Sequence, residues 1–162
     1  MPRKKKLNKV PVITFIVLIL LSILVFAAIN MIDISNYVEA NVLEVSETTI
    51  LIGNNCTAIV AETSPERAES IELGMKGIIQ DRPNTHDTFV EVLKSFNITL
   101  ESVNIDNFDG KYYYANLLLK SGDKTLKLDT RPSDAIAIAL RANTTIYLNK
   151  TLLKEIGKNI CQ

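Results

Sequence analysis

Apolar and polar residues form short runs along the chain from residue 38 onward, and turn residues separate the runs. Runs of this length that are rich in β-branched and aromatic residues are typical of strands. They predict strands over residues 38–47, 49–52, 56–61, 98–108, 112–120, 124–129 and 145–148. Gly53, Gly110 and Gly122 lie between consecutive runs and have the turn chemistry of hairpins. The pattern therefore predicts mainly antiparallel strands.

Two segments between these strands predict helices. Ser64 suits the cap of the first helix and Pro65 its first position, and the helix is expected to end near residue 75. Two glycines, Gly74 and Gly77, mark that end. Thr85 is the expected cap of the second helix. Its apolar face is formed by Phe89, Val92, Leu93 and Phe96, which recur with helical spacing.

The segment Arg131–Arg141 predicts a helix that is buried on most of its circumference. Its second half contains almost only Ala, Ile and Leu, so it lacks the polar face of a surface helix. Pro132 suits the first turn, and Asp134 would lie favourably at the positive end of the helix dipole. A last helix is expected over residues 150–156.

A short internal similarity suggests a duplication. Residues 63–68 and 130–135 share the pattern Thr-x-Pro-x-x-Ala, and each copy follows three predicted strands. The predicted fold class is α+β, with mainly antiparallel strands, buried helices and two fused strand-strand-strand-helix units. The alternative is coincidence, because proline is common at helix starts.

The amino-terminal segment predicts a membrane anchor. Residues 10–32 carry no charge and would extend about 34 Å as a helix at roughly 1.5 Å per residue, which is enough to cross a bilayer core of about 30 Å. A cleaved signal peptide is the alternative, but its apolar region usually covers only about 7–15 residues. Five basic residues precede the span: Arg3, Lys4, Lys5, Lys6 and Lys9.

Charge sets the expected topology. By the positive-inside rule the basic segment 1–9 is cytoplasmic, which predicts a single-pass protein of the cell membrane with its carboxyl-terminal body outside the cytoplasm. The expected layout continues with a linker at 33–37, a folded domain at 38–157 and a tail at 158–162.

The body is expected to be acidic. Of the 18 basic residues, 13 remain after residue 9, and the body also contains 18 acidic residues, which gives it a net charge of −5. That charge disfavours a non-specific nucleic-acid binder.

A location of the body outside the cytoplasm would permit a disulfide bond and the glycosylation of asparagines. Cys56 and Cys161 are the only cysteines, and an oxidising compartment permits a disulfide between them; two unpaired thiols are the alternative. Four asparagines fit the glycosylation acceptor pattern, a mild excess over chance: Asn55, Asn97, Asn143 and Asn149.

Two polar clusters precede or open helices and hold the candidate chemistry, at residues 82–87 and 129–134. The three arginines Arg82, Arg131 and Arg141 have the fork geometry that binds phosphate. His86, the only histidine, is a candidate proton carrier. The three carboxylates Asp87, Asp129 and Asp134 are candidate ligands of a hard cation such as magnesium. The alternative is a structural network of caps and ion pairs that holds helix to sheet.

These clusters carry a family resemblance. The chain contains Arg82-Pro83-x-Thr85-His86-Asp87, then Tyr114-Ala115-x-Leu117, then Asp129-x-Arg131-Pro132-Ser133-Asp134-Ala135-Ile136-Ala137-Ile138-Ala139-x-Arg141. In order and spacing these motifs closely resemble the bifunctional nuclease domain family, over nearly the whole body. The sequence departs from the family pattern at residues 60–62 and 145–146, outside both clusters.

The resemblance implies a nuclease or phosphodiesterase that acts on RNA or DNA. It carries over the roles of His86, Asp87, Asp129 and Asp134 in catalysis. Phosphate binding is carried over to Arg82, Thr85, Arg131, Ser133 and Arg141. Asp129 and Asp134 are the expected ligands of Mg²⁺ or Mn²⁺. The expected partners are the membrane, a nucleic acid and further copies of the chain. The alternative is a non-catalytic binding or assembly module of the cell envelope that keeps the family fold.

Overall fold

The chain divides into two compact units, Met1–Ile34 and Ser35–Gln162. A computed structural model describes residues 14–22 and 34–161, and residues 14–22 form helix α1. Among the described residues, no helix is both long enough and apolar enough to cross a membrane. Residues 10–13 and 23–32 of the expected membrane span lie outside the described part of the chain.

The second unit contains eight strands and four helices, after a short 3₁₀ turn at Ile34–Asn36. The strands are β1 (Tyr37–Val45), β2 (Thr49–Asn54), β3 (Thr57–Glu62), β4 (Thr99–Phe108), β5 (Tyr113–Ser121), β6 (Lys124–Thr130), β7 (Ile146–Asn149) and β8 (Lys158–Asn159). The helices are α2 (Pro65–Lys76), α3 (Thr85–Ser95), α4 (Pro132–Ala142) and α5 (Lys150–Ile156). The fold class is α+β with a mixed sheet, and the two-residue strand β8 is the one strand that the sequence pattern did not predict.

All eight strands form one sheet, in the order β6-β5-β4-β7-β1-β2-β3-β8. Within this part of the chain six strand pairings are antiparallel, and only β4 with β7 is parallel. The three-stranded meanders β1-β2-β3 and β4-β5-β6 lie on either side of β7 and are followed by α2 and α4, respectively. This element order agrees with two strand-strand-strand-helix units, with α3 inserted between them.

Helix α4 forms the centre of the hydrophobic core. Ala135, Ala137 and Ala139 are fully buried, and Ile136 and Ile138 are almost so. Small alanines let neighbouring backbone approach closely, which is why a helix of this composition can be surrounded by other elements. Asn143 ends the helix in the left-handed conformation, with φ 52°.

The expected glycosylation sites coincide with turns and a cap. Asn55, Asn97 and Asn143 all have positive φ, between 51° and 53°, a conformation that asparagine tolerates better than most residues. Asn149 caps α5, where its side-chain oxygen accepts a hydrogen bond from the backbone of Thr151. Backbone geometry in three cases and helix capping in the fourth thus give each asparagine a structural reason to be present, while their glycosylation stays a prediction.

Cys56 and Cys161 form a disulfide in the structure, with Cα atoms 4.9 Å apart. The bond joins the turn before β3 to the chain after β8, and the backbone of Ile160 also donates a hydrogen bond to the Cys56 carbonyl. The closed loop is long, since 105 positions separate the two cysteines. Such a crosslink restricts the unfolded chain far more than the folded one.

Loss of this disulfide is expected to lower the free energy of unfolding by about 2–4 kcal/mol. Urea unfolding of the wild-type chain and of a Cys56→Ala, Cys161→Ala variant, with and without reductant, measures the effect. Reductant should destabilise the wild type and leave the variant unchanged. Equal stability of oxidised wild type and variant would contradict the expectation.

Candidate functional site

Helix α3 begins with a capping box. The Asn84 side-chain oxygen accepts from the backbone of His86 at 2.9 Å and of Asp87 at 3.1 Å, and the Asp87 carboxylate accepts from the Asn84 backbone at 2.9 Å. Asn84 is therefore the cap, and the prediction that Thr85 caps the helix was wrong by one residue. The box fixes His86 at the second position of the helix.

Asp87 and Arg141 form a buried ion pair. The Arg141 Nε lies 2.5 Å from the Asp87 carboxylate, and the two side chains are 7% and 6% exposed. The other Arg141 nitrogens donate to the carbonyls of Ser70 and Ala137, both at 2.9 Å, and to the Ser70 hydroxyl at 3.3 Å. A guanidinium with all these partners has no donor edge left for phosphate. These contacts give Arg141 and Asp87 a structural role, while their expected roles in substrate binding and catalysis stay predictions.

The ion pair also shifts the acidity of Asp87. Burial by itself would raise its pKa, but hydrogen bonds from Arg141 and from the Asn84 backbone outweigh burial and hold the pKa below its ordinary value. A carboxyl with a depressed folded-state pKa adds stability above its unfolded-state pKa, about 3.9. That stability is lost as the pH falls through the folded value.

We therefore expect the difference in unfolding free energy between wild type and Asp87→Asn to be constant near neutral pH and to shrink below about pH 4. Urea unfolding of both proteins from about pH 3 to about pH 7 measures this difference. A difference that stays constant over the whole range would show that Asp87 is not held ionised by the fold.

Gly74, expected to mark the end of α2, lies inside that helix, and Gly77 is the left-handed cap with φ 63°. A Cβ at Gly74 would lie 2.8 Å from Arg141 Nη1 and 3.2 Å from Leu140 Cβ. The glycine thus lets α2 and α4 approach closely enough for Arg141 to reach the α2 backbone.

Gly74→Ala is expected to destabilise the protein by about 1–3 kcal/mol, because the added methyl overpacks the contact with Arg141. Helix propensity alone predicts the opposite sign, a gain of about 1 kcal/mol. Thermal unfolding of the two proteins decides between them, and a stabilised variant would contradict the packing described here.

The first turns of α2, α3 and α4 meet at a cleft of about 540 Å³, backed by β5 and β6. Polar lining residues are Glu66, Arg67, Glu69 and Ser70 of α2, Gln80 and Asn84 before α3, Thr85 and His86 of α3, and Thr130, Arg131 and Asp134 before and in α4. Three helix amino termini at one cleft add their positive dipole ends there, which favours an anionic ligand. We call this the His86 cleft.

His86 is held at both ring nitrogens. Its Nδ1 lies 2.9 Å from the Ser70 hydroxyl, and its Nε2 lies 3.3 Å from the Asp134 carboxylate. The Ser70 oxygen also accepts from Arg141 at 3.3 Å and from the Asn84 side chain at 3.4 Å, so its own proton is free to point at Nδ1. We therefore assign the neutral tautomer with the proton on Nε2, donated to Asp134.

Two guanidinium groups border the same cleft. Arg131 donates its Nε to Asp134, and its side chain is 61% exposed, which leaves the other nitrogens facing solvent. Arg67 is half-buried, and its guanidinium makes no hydrogen bond or ion pair with any residue that the structure describes. Free donors on these two side chains, unlike those of Arg141, are available to a phosphate group.

Asp129 does not join this site. Leu128 and Thr130 line the cleft, and neighbouring strand residues face opposite sides of a sheet, so Asp129 faces away from Asp134. Across the sheet it pairs with Asn116. Within the described residues, no three His, Cys, Asp or Glu side chains are grouped so that they could hold a metal ion. The residues therefore do not fit the expected Asp129–Asp134 site for Mg²⁺ or Mn²⁺.

Of the other residues expected to bind phosphate, only one lies in the cleft. Thr85 lines the cleft. Arg82 is exposed and does not line it, and the buried Ser133 lines a neighbouring cavity instead. Of the nine expected site residues the structure thus brings His86, Asp134, Arg131 and Thr85 to one cleft.

Sequence reasoning missed several of the cleft's polar residues, among them Arg67, Thr130 and Ser70. Arg67 lies in the repeated segment at residues 63–68, and the similarity of that segment to residues 130–135 could have indicated it. Thr130 lies in the second copy, directly after Asp129, which the sequence pattern had indicated as a site residue. Ser70, 8% exposed, is a polar residue on the buried side of α2, and no local motif marks it.

Comparisons with known proteins point to one family. A sequence profile of the bifunctional nuclease domain matches residues 53–160, more than half of the chain. Two proteins of Mycobacterium tuberculosis are similar, from strains CDC 1551 / Oshkosh and ATCC 25618 / H37Rv, and each carries the name uncharacterized protein. Each is 33% identical over 90 residues, which cover 56% of this chain and 53% of the relative. The chain thus matches about half the length of these curated relatives.

Proposed function

Because this chain belongs to the bifunctional nuclease domain family, we propose that the His86 cleft binds and hydrolyses phosphodiester bonds of RNA or DNA. The observation that carries the proposal is the position of His86, hydrogen-bonded to Ser70 and Asp134 and bordered by the available guanidinium groups of Arg67 and Arg131. A histidine placed beside anion-binding groups is suited to proton transfer during cleavage of a phosphate ester.

Phosphate binding is assigned to Arg67 and Arg131. Each guanidinium can donate two parallel hydrogen bonds to the non-bridging oxygens, and the helix amino termini add further positive potential. These charges would be worth most when negative charge on the phosphate increases in the transition state.

Proton transfer is assigned to the His86–Asp134 pair. A water molecule attacks phosphorus and forms the new bond from phosphorus to oxygen, and the Asp134 carboxylate, which accepts from His86 Nε2, takes the proton that the water loses. The bond to the leaving oxygen breaks, and Asp134 passes that proton to the leaving oxygen. Ser70 is a positioning residue: its hydroxyl donates to Nδ1, which keeps the ring proton on Nε2, where it faces Asp134.

Cleavage of labelled single-stranded RNA and DNA by the full chain tests the proposal. Reactions with Mg²⁺, with Mn²⁺ and with a chelator show whether a metal contributes. The control is a His86→Ala, Asp134→Ala double variant that is purified in parallel. Equal activity of the wild type and the double variant would point to a contaminating nuclease and reject the assignment.

A second candidate function, a non-catalytic binding or assembly module of the cell envelope, is favoured by the network around Arg141. Asp87, Ser70 and Arg141 are buried and fully paired, as expected for residues that hold helices together. Absence of cleavage by a folded wild-type chain, together with retained nucleic-acid binding, would favour this candidate.

We also propose that residues 10–32 anchor the protein in a membrane and place the folded unit outside the cytoplasm. The uncharged segment, the basic residues before it and a disulfide that suits an oxidising compartment support this topology. Protease treatment of intact cells and of permeabilised cells tests it. Digestion of the folded unit only after permeabilisation would contradict it.

Self-association is proposed through the open edge of the sheet at β6. Leu126 and Leu128 of this edge strand are 54% and 37% exposed, and an uncovered edge strand can pair with a second chain. Light scattering of the full chain gives its mass. A monomer that is unaffected by Leu126→Lys would contradict the proposal.

A further inference from the structure

Aromatic residues are concentrated at the hairpin between β4 and β5. The chain has five phenylalanines and five tyrosines, and four of these ten lie within residues 108–114, which we call the aromatic tip: Phe108, Tyr112, Tyr113 and Tyr114. Phe108 and Tyr113 stack with ring centres 4.4 Å apart and pack against the core. Tyr112 and Tyr114 are instead 56% and 43% exposed. The aromatic tip thus presents apolar surface that the folded unit does not cover.

The turn that presents Tyr112 is held in one conformation. The Asp109 carboxylate accepts from the backbones of Lys111 and Tyr112, at 2.8 and 2.7 Å, and from the Tyr114 hydroxyl at 2.7 Å. The Asp109 backbone also donates to the Tyr112 carbonyl at 3.1 Å, which closes the turn. The Lys111 ammonium lies 4.6 Å from the centre of the Tyr112 ring. A preformed turn loses little conformational entropy on binding, so the aromatic tip is suited to an interaction.

The chain enters the folded unit at the same end of the sheet. Tyr37, the first residue of β1, donates its hydroxyl to the Asp106 carboxylate at 2.6 Å, and β4 continues from there to Phe108. At about 3.3 Å per strand residue, the turn lies about 10 Å beyond Asp106. Just before β1, the Ser35 carbonyl accepts a hydrogen bond from the Lys150 side chain. The entry point of the chain is therefore fixed beside the aromatic tip.

We propose that the aromatic tip docks on the surface of a lipid bilayer, with the Tyr112 ring and the Lys111 ammonium among the lipid head groups. The proposal rests on the membrane anchor proposed above. Ser35 lies three residues after residue 32, where the expected span ends, and three extended residues cover at most about 11 Å. The anchor thus keeps the bilayer, unlike any soluble partner, within this distance of the entry point. Tyrosine and lysine are residue types that favour the boundary between lipid and water.

Docking gives the folded unit a second contact with the membrane. A unit held only through the chain at Ser35 can rotate about that point, whereas a unit held also through Tyr112 has one preferred orientation. No residue of the aromatic tip lines the His86 cleft, so the docking proposal is independent of the proposed nuclease activity.

A tryptophan in place of Tyr112 reports on the docking directly, because the chain contains no tryptophan of its own. The full chain with Tyr112→Trp is placed in phosphatidylcholine nanodiscs and in nanodiscs whose lipids carry bromine, a contact quencher, in the upper part of their acyl chains. We expect the brominated lipid to remove more than about half of the emission, because a docked ring lies at the boundary between lipid and water.

The matched control is Phe96→Trp. Phe96 is 70% exposed and lies near the start of β4, a strand of 10 residues, so it is about 30 Å from the aromatic tip at the opposite end of that strand. Its tryptophan should not be quenched by the brominated lipid. Iodide, a quencher confined to water, should show the reverse order and quench Phe96→Trp more than Tyr112→Trp.

Quenching of Tyr112→Trp by brominated lipid that is no greater than that of Phe96→Trp would overturn the docking. Flotation with lipid vesicles separates this failure from a failure of the anchor. A chain that floats without being quenched disproves the docking alone, and a chain that does not float disproves the anchor and the docking together. Lys111→Trp, at the adjacent exposed position, takes the place of Tyr112→Trp if circular dichroism shows that the latter is unfolded.

Discussion

The His86→Ala variant is expected to cleave labelled RNA and DNA with a kcat/KM at least about a hundredfold below that of the wild type. The loss follows from the position of His86, because its ring is held between Ser70 and Asp134 and donates its Nε2 proton to the Asp134 carboxylate. The quantity to measure is the initial cleavage rate as a function of substrate concentration, on the full chain at neutral pH.

A second substitution tests how His86 is positioned, and its unfolding curve is measured in parallel because Ser70 also contacts Arg141. Ser70→Ala removes the partner of Nδ1 but keeps the ring, so it should lower kcat, shift the pH profile of kcat/KM and leave KM nearly unchanged. If His86→Ala retained wild-type kcat/KM while its unfolding curve was normal, His86 would have no part in the reaction.

The second large effect concerns stability. Arg141→Ala is expected to lower the free energy of unfolding by about 3–5 kcal/mol, because it leaves the Asp87 carboxylate buried without its partner. Arg131→Ala provides the contrast. That ion pair with Asp134 lies at the edge of the cleft, the arginine is 61% exposed, and its loss is expected to cost about 0–1 kcal/mol.

Urea unfolding of the full chain and its two variants measures this contrast, with far-ultraviolet circular dichroism as the signal. Activity should show the reverse pattern in the variant protein that remains folded, since Arg131 lines the proposed phosphate site and Arg141 does not. Equal destabilisation by the two substitutions would mean that the division between a structural and a binding arginine is incorrect.

Local chemistry explains why the elements could be predicted from the sequence. Pro65 and Pro132 lie at the first positions of α2 and α4, and the alanine-rich segment after Pro132 is the buried helix that its composition predicts. Glycine and asparagine turns separate the strands. The two-residue strand β8 was missed because its pairing depends on the neighbouring β3 and not on its own residues.

The candidate site was harder to predict, because it depends on which face a residue presents. Asp129 and Thr130 are adjacent, yet only Thr130 lines the cleft, and the register of β6 decides between them. Arg141 and Asp87 are 54 positions apart, so neither local motif indicates that they neutralise one another. Ser70 is polar in a helix that packs on α4, and its role follows only from the contact with His86.

The most direct test of the His86 cleft as the site of phosphodiester cleavage is the activity of Arg67→Gln compared with Arg82→Gln. Arg67 lines the cleft without a hydrogen bond or ion pair among the described residues, and Arg82 lies outside it. We predict that Arg67→Gln lowers kcat/KM about tenfold to a hundredfold, as expected for a lost charge-assisted hydrogen bond, while its unfolding curve stays that of the wild type. Arg82→Gln should retain full activity. An Arg67→Gln variant as active as the wild type, or an Arg82→Gln variant with the larger loss, would contradict the assignment of the cleft.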